Sequence, residues 1–210
     1  MDQIGFLFDL DGTLINSQIA VHESWMQIAE EAGFYLPNLD SMHGLPAAAS
    51  LRKLMPERQE VEILRWAKRL EDVEIQAAHG VFAVNGAVEL LQQLTHTQIP
   101  WTIVTSCTMD LAIARTAAAG IVIPEHSVTF DQVSQGKPAP EPFLLGAKRI
   151  GLDAKNCWAI EDAPGGVRSA KSAGCTVAAV LTTHEKSQLL EADHHLDSLK
   201  DLLALSNSSR

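Results

Sequence analysis

Five short apolar runs recur along the chain, at Ile4–Phe8, Trp101–Thr105, Val128–Phe130, Trp158–Ile160 and Val177–Leu181. Each is continuous, not alternating, the pattern of a strand covered on both faces. Helical patterns intervene at Gly86–Leu94, Leu111–Ala119, Pro142–Ile150 and Val167–Ala173. Gly120, Gly151 and Gly174 follow three of them, where a left-handed helix cap belongs. Parallel strands need crossover connections, and helices on both faces supply the cover that such strands require. The alternation therefore predicts an α/β fold: a Rossmann-like parallel sheet with helices on each side. A weaker strand at His194–Leu196 and a last helix at Leu199–Leu205 complete the expected set.

One stretch departs from this rhythm. Between Ser17 and Phe82 there are helical patterns and no clear strand. Ile19, Trp25, Ile28 and Ala32 read as one face of a helix that stops at Gly33. Pro46–Leu54 and Glu57–Val73 read as two more, punctuated by Pro37, Gly44 and Pro56. The expected organisation is a core of residues 1–16 and 83–210, with a helical cap of residues 17–82 seated above the carboxyl ends of the strands.

The chain has 210 residues, of which 46% are hydrophobic and 20% charged, a balance that excludes a disordered chain. Its formal net charge of −10 argues against binding nucleic acid or an anionic membrane through bulk charge. An anionic substrate then needs a local cation. No run of about 18 apolar residues exists, so no membrane span is expected. Met1-Asp2-Gln3 carries no basic group, and Asp9 and Asp11 break the first apolar stretch, so no secretory leader is expected. Cys107, Cys157 and Cys175 form no C-x-x-C pair and read as reduced thiols of a cytoplasmic protein, expected to be a monomer.

The chemistry-bearing residues stand at strand ends. In Phe8-Asp9-Leu10-Asp11-Gly12-Thr13 two carboxylates leave an apolar strand and enter a glycine turn. Open α/β sheets bind ligands beyond such ends. Two close acids repel unless a cation or a proton separates them. Oxygen-only ligands favour Mg²⁺. Thr105-Ser106 places hydroxyls before a helix start, a setting that suits an anion. Gly136-Lys137-Pro138 pins the backbone around one lysine, whose ammonium can neutralise phosphate or carboxylate charge. Glu161-Asp162-Ala163-Pro164-Gly165-Gly166 again ends a strand in acids before a helix. Each piece alone has a plainer reading, as helix cap or solvated loop. Capping does not account for all of them in order.

With these four pieces, FDLDGTL at Phe8–Leu14, VTS at Val104–Ser106, GKPAP at Gly136–Pro140 and EDAPGG at Glu161–Gly166, the chain resembles the haloacid dehalogenase superfamily of phosphotransferases. The resemblance covers nearly the whole chain. It implies an aspartyl-phosphate on Asp9, which is also a Mg²⁺ ligand. It implies Asp11 as general acid and base, its backbone carbonyl also on the metal. Thr105 or Ser106 and Lys137 would hold phosphate oxygens. Asp162 would be a further metal ligand, with Glu161 beside it in the inner or outer sphere.

The segment Ser41–Met55 and the WTIVTS and FLLGAKRIGL stretches are similar to bacterial sugar and sugar-alcohol phosphatases. The implied substrate is a small phosphorylated metabolite of that kind. His43 and Gly44 are the candidate cap contacts to its tail, although an ordinary interhelix turn reads there equally well. The related β-phosphoglucomutases carry an arginine where Ala47-Ala48-Ala49 stands, and a cap histidine at the position of Val21, whereas His22 is one residue on. One residue turns a helical side chain by about 100°. Hydrolysis is therefore expected over mutase chemistry. A phosphoglycolate-type phosphatase and a receiver-like phospho-Asp module are the other readings. Leu45 stands where the nearest relatives would carry lysine. Trp25 reads as core, Arg52 as a surface pair, Cys107 as inert, and His194-His195 as unrelated to a metal.

Overall fold

The computed structural model describes residues 3–36 and 46–203. Five parallel strands form the sheet: β1 (Gly5–Phe8), β4 (Trp101–Ile103), β5 (Cys157–Glu161), β6 (Thr176–Val180) and β7 (His194–Leu196), in the order β4-β1-β5-β6-β7. Helices α4 (Ala87–His96), α5 (Met109–Ala118), α6 (Glu141–Arg149) and α7 (Pro164–Ala173) make the crossovers. This is the expected α/β Rossmann-like core.

The apolar runs are continuous because both faces of the sheet are covered. On β1, Phe6 and Phe8 join Leu90, Leu94, Ile103 and Leu111 on one face. The intervening Leu7 joins Phe143, Ala147 and Val167 on the other. A fully buried side chain of this size contributes about 1.5–3 kcal/mol, so both faces hold the sheet in place. The first strand pairs with β4 on one side and β5 on the other. The chain runs to one side of β1 and then crosses back. Its carboxyl end is thus the switch point at which such sheets leave a crevice.

The run Val128–Phe130 does not form a strand. Val128 alone makes a bridge, to Val104. The amide of Phe130 then donates to the Cys107 carbonyl at 2.8 Å, and residues Phe130–Gln132 form a 3₁₀ turn. That bond draws the chain off the ladder after one residue.

Between β1 and β4 lie α1 (Gln18–Ala32), α2 (Ala47–Leu54) and α3 (Glu60–Gln76), which enclose an apolar cluster of their own around Trp25, Ile28, Leu51, Ile63 and Leu70. Ile19 is 59% exposed and does not share the buried face. Six residues before Trp25 it lies about 120° round the helix, since each residue turns by about 100°. Gly33 ends α1 in the left-handed conformation, at φ 71°. The chain enters and leaves this insert through a short antiparallel ribbon, β2 (Ile15–Asn16) with β3 (Phe82–Ala83). Two-residue strands carry no periodicity, so nothing in the sequence signals them. Among the described residues no helix is long and apolar enough to cross a membrane. The expected last helix begins with a turn at Leu199–Asp201, and its end lies outside the described residues.

Candidate active site

Asp9 follows β1 directly, and its amide donates to the Ile160 carbonyl of β5 at 2.9 Å. This extra ladder bond carries the carboxylate to the mouth of the crevice. Glu161 is the last residue of β5, and Asp162 follows it. Carboxylate oxygens of Asp9, Glu161 and Asp162 lie within 4.8 Å of one another, and all three residues are buried. The Lys137 ammonium sits among them, donating to Asp9 Oδ1 and Glu161 Oε1 at 2.6 Å each. It also lies 5.0 Å from the centre of the Phe143 ring.

Two glycines permit this crowding. Gly12 has φ +85°, and a Cβ there would stand 2.1 Å from Asp162 Oδ2. At Gly166, in the first turn of α7, a Cβ would stand 1.7 Å from Glu161 Oε1. The far oxygen of Glu161 accepts from the amides of Asp162 and Ala163 at 3.1 and 3.2 Å. The free N–H groups at the start of α7 thus help to hold the buried anion.

Three buried carboxylates face one ammonium, so the site has a surplus of negative charge. Burial pushes the Asp9 carboxyl well above the carboxylate range; Lys137 opposes this, and Glu161 and Asp162 add to it. Glu161 is raised as well, first by burial, against the pull of Lys137. Burial alone would depress Lys137, but Asp9 and Glu161 outweigh it and hold the ammonium above its ordinary value. A hard divalent cation meets this donor set: oxygen ligands only, close together, with charge left to neutralise.

The Asp11 carboxylate lies outside that group. Its Oδ1 accepts from Ser17 Oγ at 2.5 Å and from Arg115 Nη1 at 2.8 Å, and Cys107 Sγ lies 3.0 Å from Oδ2. Arg115, on α5, is buried and also pairs with Glu74 of α3 at 3.2 Å. Close by, the Thr108 hydroxyl donates to Glu71 of α3. The Asp11 side chain is thus held where the core meets the helical insert. The three clustered carboxylates are Asp9, Glu161 and Asp162, and the expectation for Asp11 at a metal concerns its backbone carbonyl, not this side chain. Arg115, Ser17 and Glu74 escaped the sequence reading because no motif spacing marks them.

Glu74 has a measurable signature. Burial raises its carboxyl to about 7 against the ordinary 4.5, with Arg115 opposing. Its folded value exceeds its unfolded value, so its favourable contribution is complete below about 4.5 and is lost as pH rises through about 7. We expect Glu74→Gln to match the parent in thermal unfolding at pH 4. At pH 8 it should be the more stable, by up to about 3 kcal/mol. Calorimetric melts at the two pH values check this.

Thr105 and Ser106 follow β4. Thr105 is buried, and its hydroxyl accepts from the Cys107 amide at 3.1 Å, whereas Ser106 is half-buried. His43 and Gly44 lie outside the described residues. Arg52 makes an exposed pair with Glu60, at 2.5 and 3.0 Å, and Trp25 is core. Cys107 is buried without a histidine among its hydrogen-bond partners, and burial holds its thiol well above the ordinary value. His194 stacks on Trp158, and His195 faces the Leu189 carbonyl.

The chain matches known proteins over nearly its whole length. A family model described as haloacid dehalogenase-like hydrolase matches residues 6–180. Hexitol phosphatase A of Escherichia coli strain K12 is 43% identical over 94% of this chain and 92% of its own. The validoxylamine A 7'-phosphate phosphatase of Streptomyces hygroscopicus subsp. limoneus is 33% identical over 93% of this chain and 94% of its own. The crystal structure of a hydrolase from Pseudomonas syringae superposes with a TM-score of 0.88 at 28% identity, covering 98% of this chain and 99% of that one.

Proposed function

The chain belongs to the haloacid dehalogenase-like hydrolases and is a phosphatase of that family; from that premise we propose that it hydrolyses a small phosphorylated sugar or sugar alcohol through a covalent phosphate on Asp9. The observation that carries this reading is the buried set of Asp9, Glu161 and Asp162 with Lys137 bound between two of them. The relative named hexitol phosphatase A, matched over nearly its full length, supports the sugar-alcohol class.

In the proposed cycle an Asp9 oxygen forms a bond to phosphorus as the bond to the leaving alkoxide breaks. Asp11 gives that alkoxide its proton. Asp11 then takes a proton from water, which attacks the phosphorus. The Asp9–phosphate bond breaks, and inorganic phosphate and free Asp9 result. Lys137 and one of the hydroxyls of Thr105 and Ser106 hold the phosphoryl oxygens in place. Asp9, Asp162 and the Asp11 carbonyl would hold Mg²⁺, with Glu161 beside them. When bound, the ion screens the approach of two anions and polarises a phosphoryl oxygen.

A panel of hexitol phosphates, hexose phosphates and phosphoglycolate, assayed for phosphate release, tests the reading. Hexitol phosphates should exceed phosphoglycolate in kcat/KM by about 10-fold or more, since hydroxyl groups on the tail are what a polyol site pairs with. Chelation by EDTA should remove activity, and Mg²⁺ should restore it. A preference for phosphoglycolate would overturn the substrate class; full turnover in EDTA would overturn the metal.

A further inference from the structure

The loop after β6 touches both acidic segments of the site. The Thr182 hydroxyl donates to the Gly12 carbonyl. The Thr183 hydroxyl makes its closest contact with Asp162 Oδ2, and lies 3.2 Å from the Asp162 carbonyl and 2.9 Å from His184 Nδ1. The Thr183 methyl lies 2.8 Å from where a Cβ on Gly12 would fall, a place that Asp162 Oδ2 also borders. Asp162 is therefore confined between the Gly12 turn and this loop.

The hydrogen-bond roles follow from the donor inventory. An ionised carboxylate only accepts, and a hydroxyl has one proton to give. Thr183 gives that proton to Asp162. Its oxygen then accepts, and the donor beside it is His184 Nδ1–H. A directed chain results, from His184 to Thr183 to Asp162.

We propose that Thr183 is the positioning residue for Asp162: it fixes the carboxylate in the orientation that the metal position shared with Asp9 and Glu161 requires, and His184 fixes Thr183. The proposal rests on the reading of those three acids as metal-holding residues. Partners of this kind around a ligating carboxylate change metal affinity by about 10–100-fold. The sequence offers no sign of it, because a threonine in a loop 21 residues beyond Asp162 belongs to no ligand spacing.

The test measures Mg²⁺ binding by titration calorimetry with no substrate present. Thr183→Val keeps the shape and removes the hydroxyl; Thr183→Ser keeps the hydroxyl. We expect Thr183→Val to weaken Mg²⁺ about 10-fold or more and Thr183→Ser to bind close to the parent. In EDTA the melting temperatures of all three should coincide, while the rise on adding Mg²⁺ should be smaller for the valine variant alone. Equal Mg²⁺ affinity for parent and Thr183→Val would overturn the proposal and leave the phosphatase reading standing. So would a serine variant as weak as the valine one. No Mg²⁺ binding by the parent would instead overturn the metal reading beneath it. Thr183 is half-buried in a loop; should the valine variant fail to fold, Thr183→Ala takes its place under the same criteria.

Discussion

Asp9→Asn should lower phosphate release by on the order of 10⁴-fold or more, the scale of loss when a nucleophile is removed. The amide keeps the shape of the side chain but cannot form the covalent phosphate. It also removes one of three clustered buried carboxylates, two of which, Asp9 and Glu161, share Lys137. Burial holds Asp9 above the carboxylate range, so its ionised form destabilises the metal-free fold. The sign follows: the cost is absent below the unfolded value near 4 and grows as pH rises above it. In EDTA at pH 8 the variant should therefore melt no lower than the parent while its turnover is lost. Phosphate-release assays and calorimetry on the same preparation decide this. Residual turnover within 10-fold of the parent, in a folded variant, would remove Asp9 from the nucleophile role.

Lys137→Met should have the opposite effect on stability and a comparable sign on activity. Its ammonium pairs with Asp9 and Glu161 at 2.6 Å, and the side chain is only 5% exposed. Removing one partner of a buried ion pair costs about 3–5 kcal/mol, because the other charge is left uncompensated. Here two carboxylates lose their partner. The folded value of Lys137 lies above its ordinary value, so its contribution is complete across pH 5–9 and is lost only in strong alkali. The metal-stripped variant should therefore melt well below the parent throughout that range. Mg²⁺ should recover part of the deficit. Turnover with saturating Mg²⁺ should still fall by about 10²–10³-fold, as when a single donor to developing charge is removed. An unchanged melting temperature in EDTA would contradict the ion pairs.

These expectations join a trade-off visible in the packing. A like-charged group of acids is stored in a low-dielectric crevice, and the structure tolerates it through one lysine, two bare glycines and the N–H groups at the start of α7. Such a site is poor for the stability of the metal-free chain and suits a divalent cation. The buried Glu74–Arg115–Asp11 series extends that polar network to the helical insert. Substitutions there reach Asp11, for which we propose the proton-transfer role, without touching Asp9 or Lys137.

Much of this was legible from neighbours along the chain. Continuous apolar runs announced strands covered on both faces, and Phe6, Leu7 and Phe8 show why: successive side chains enter different layers. Asp9, Glu161 and Asp162 could be named because they stand within two residues of the end of such a run. The single bridge at Val128 could not be foreseen, since a bond from Phe130 to Cys107, more than twenty residues away, ends the ladder there. Ile19 was misjudged on periodicity alone: it lies about 120° off the buried face.

The amino-acid sequence by itself determined most of the strands and helices of the core, and which acids stand at their ends, because those choices depend largely on residues a few positions apart; Val128 and the ribbon of β2 and β3 are the exceptions. Only the tertiary structure decided what each acid touches. Arg115 lies 104 residues from Asp11 and Lys137 lies 128 from Asp9. Pairings over such distances are selected by the order of the strands in the sheet. They leave no period or spacing in the chain, since a side-chain hydrogen bond constrains positions in space and not the number of residues between them.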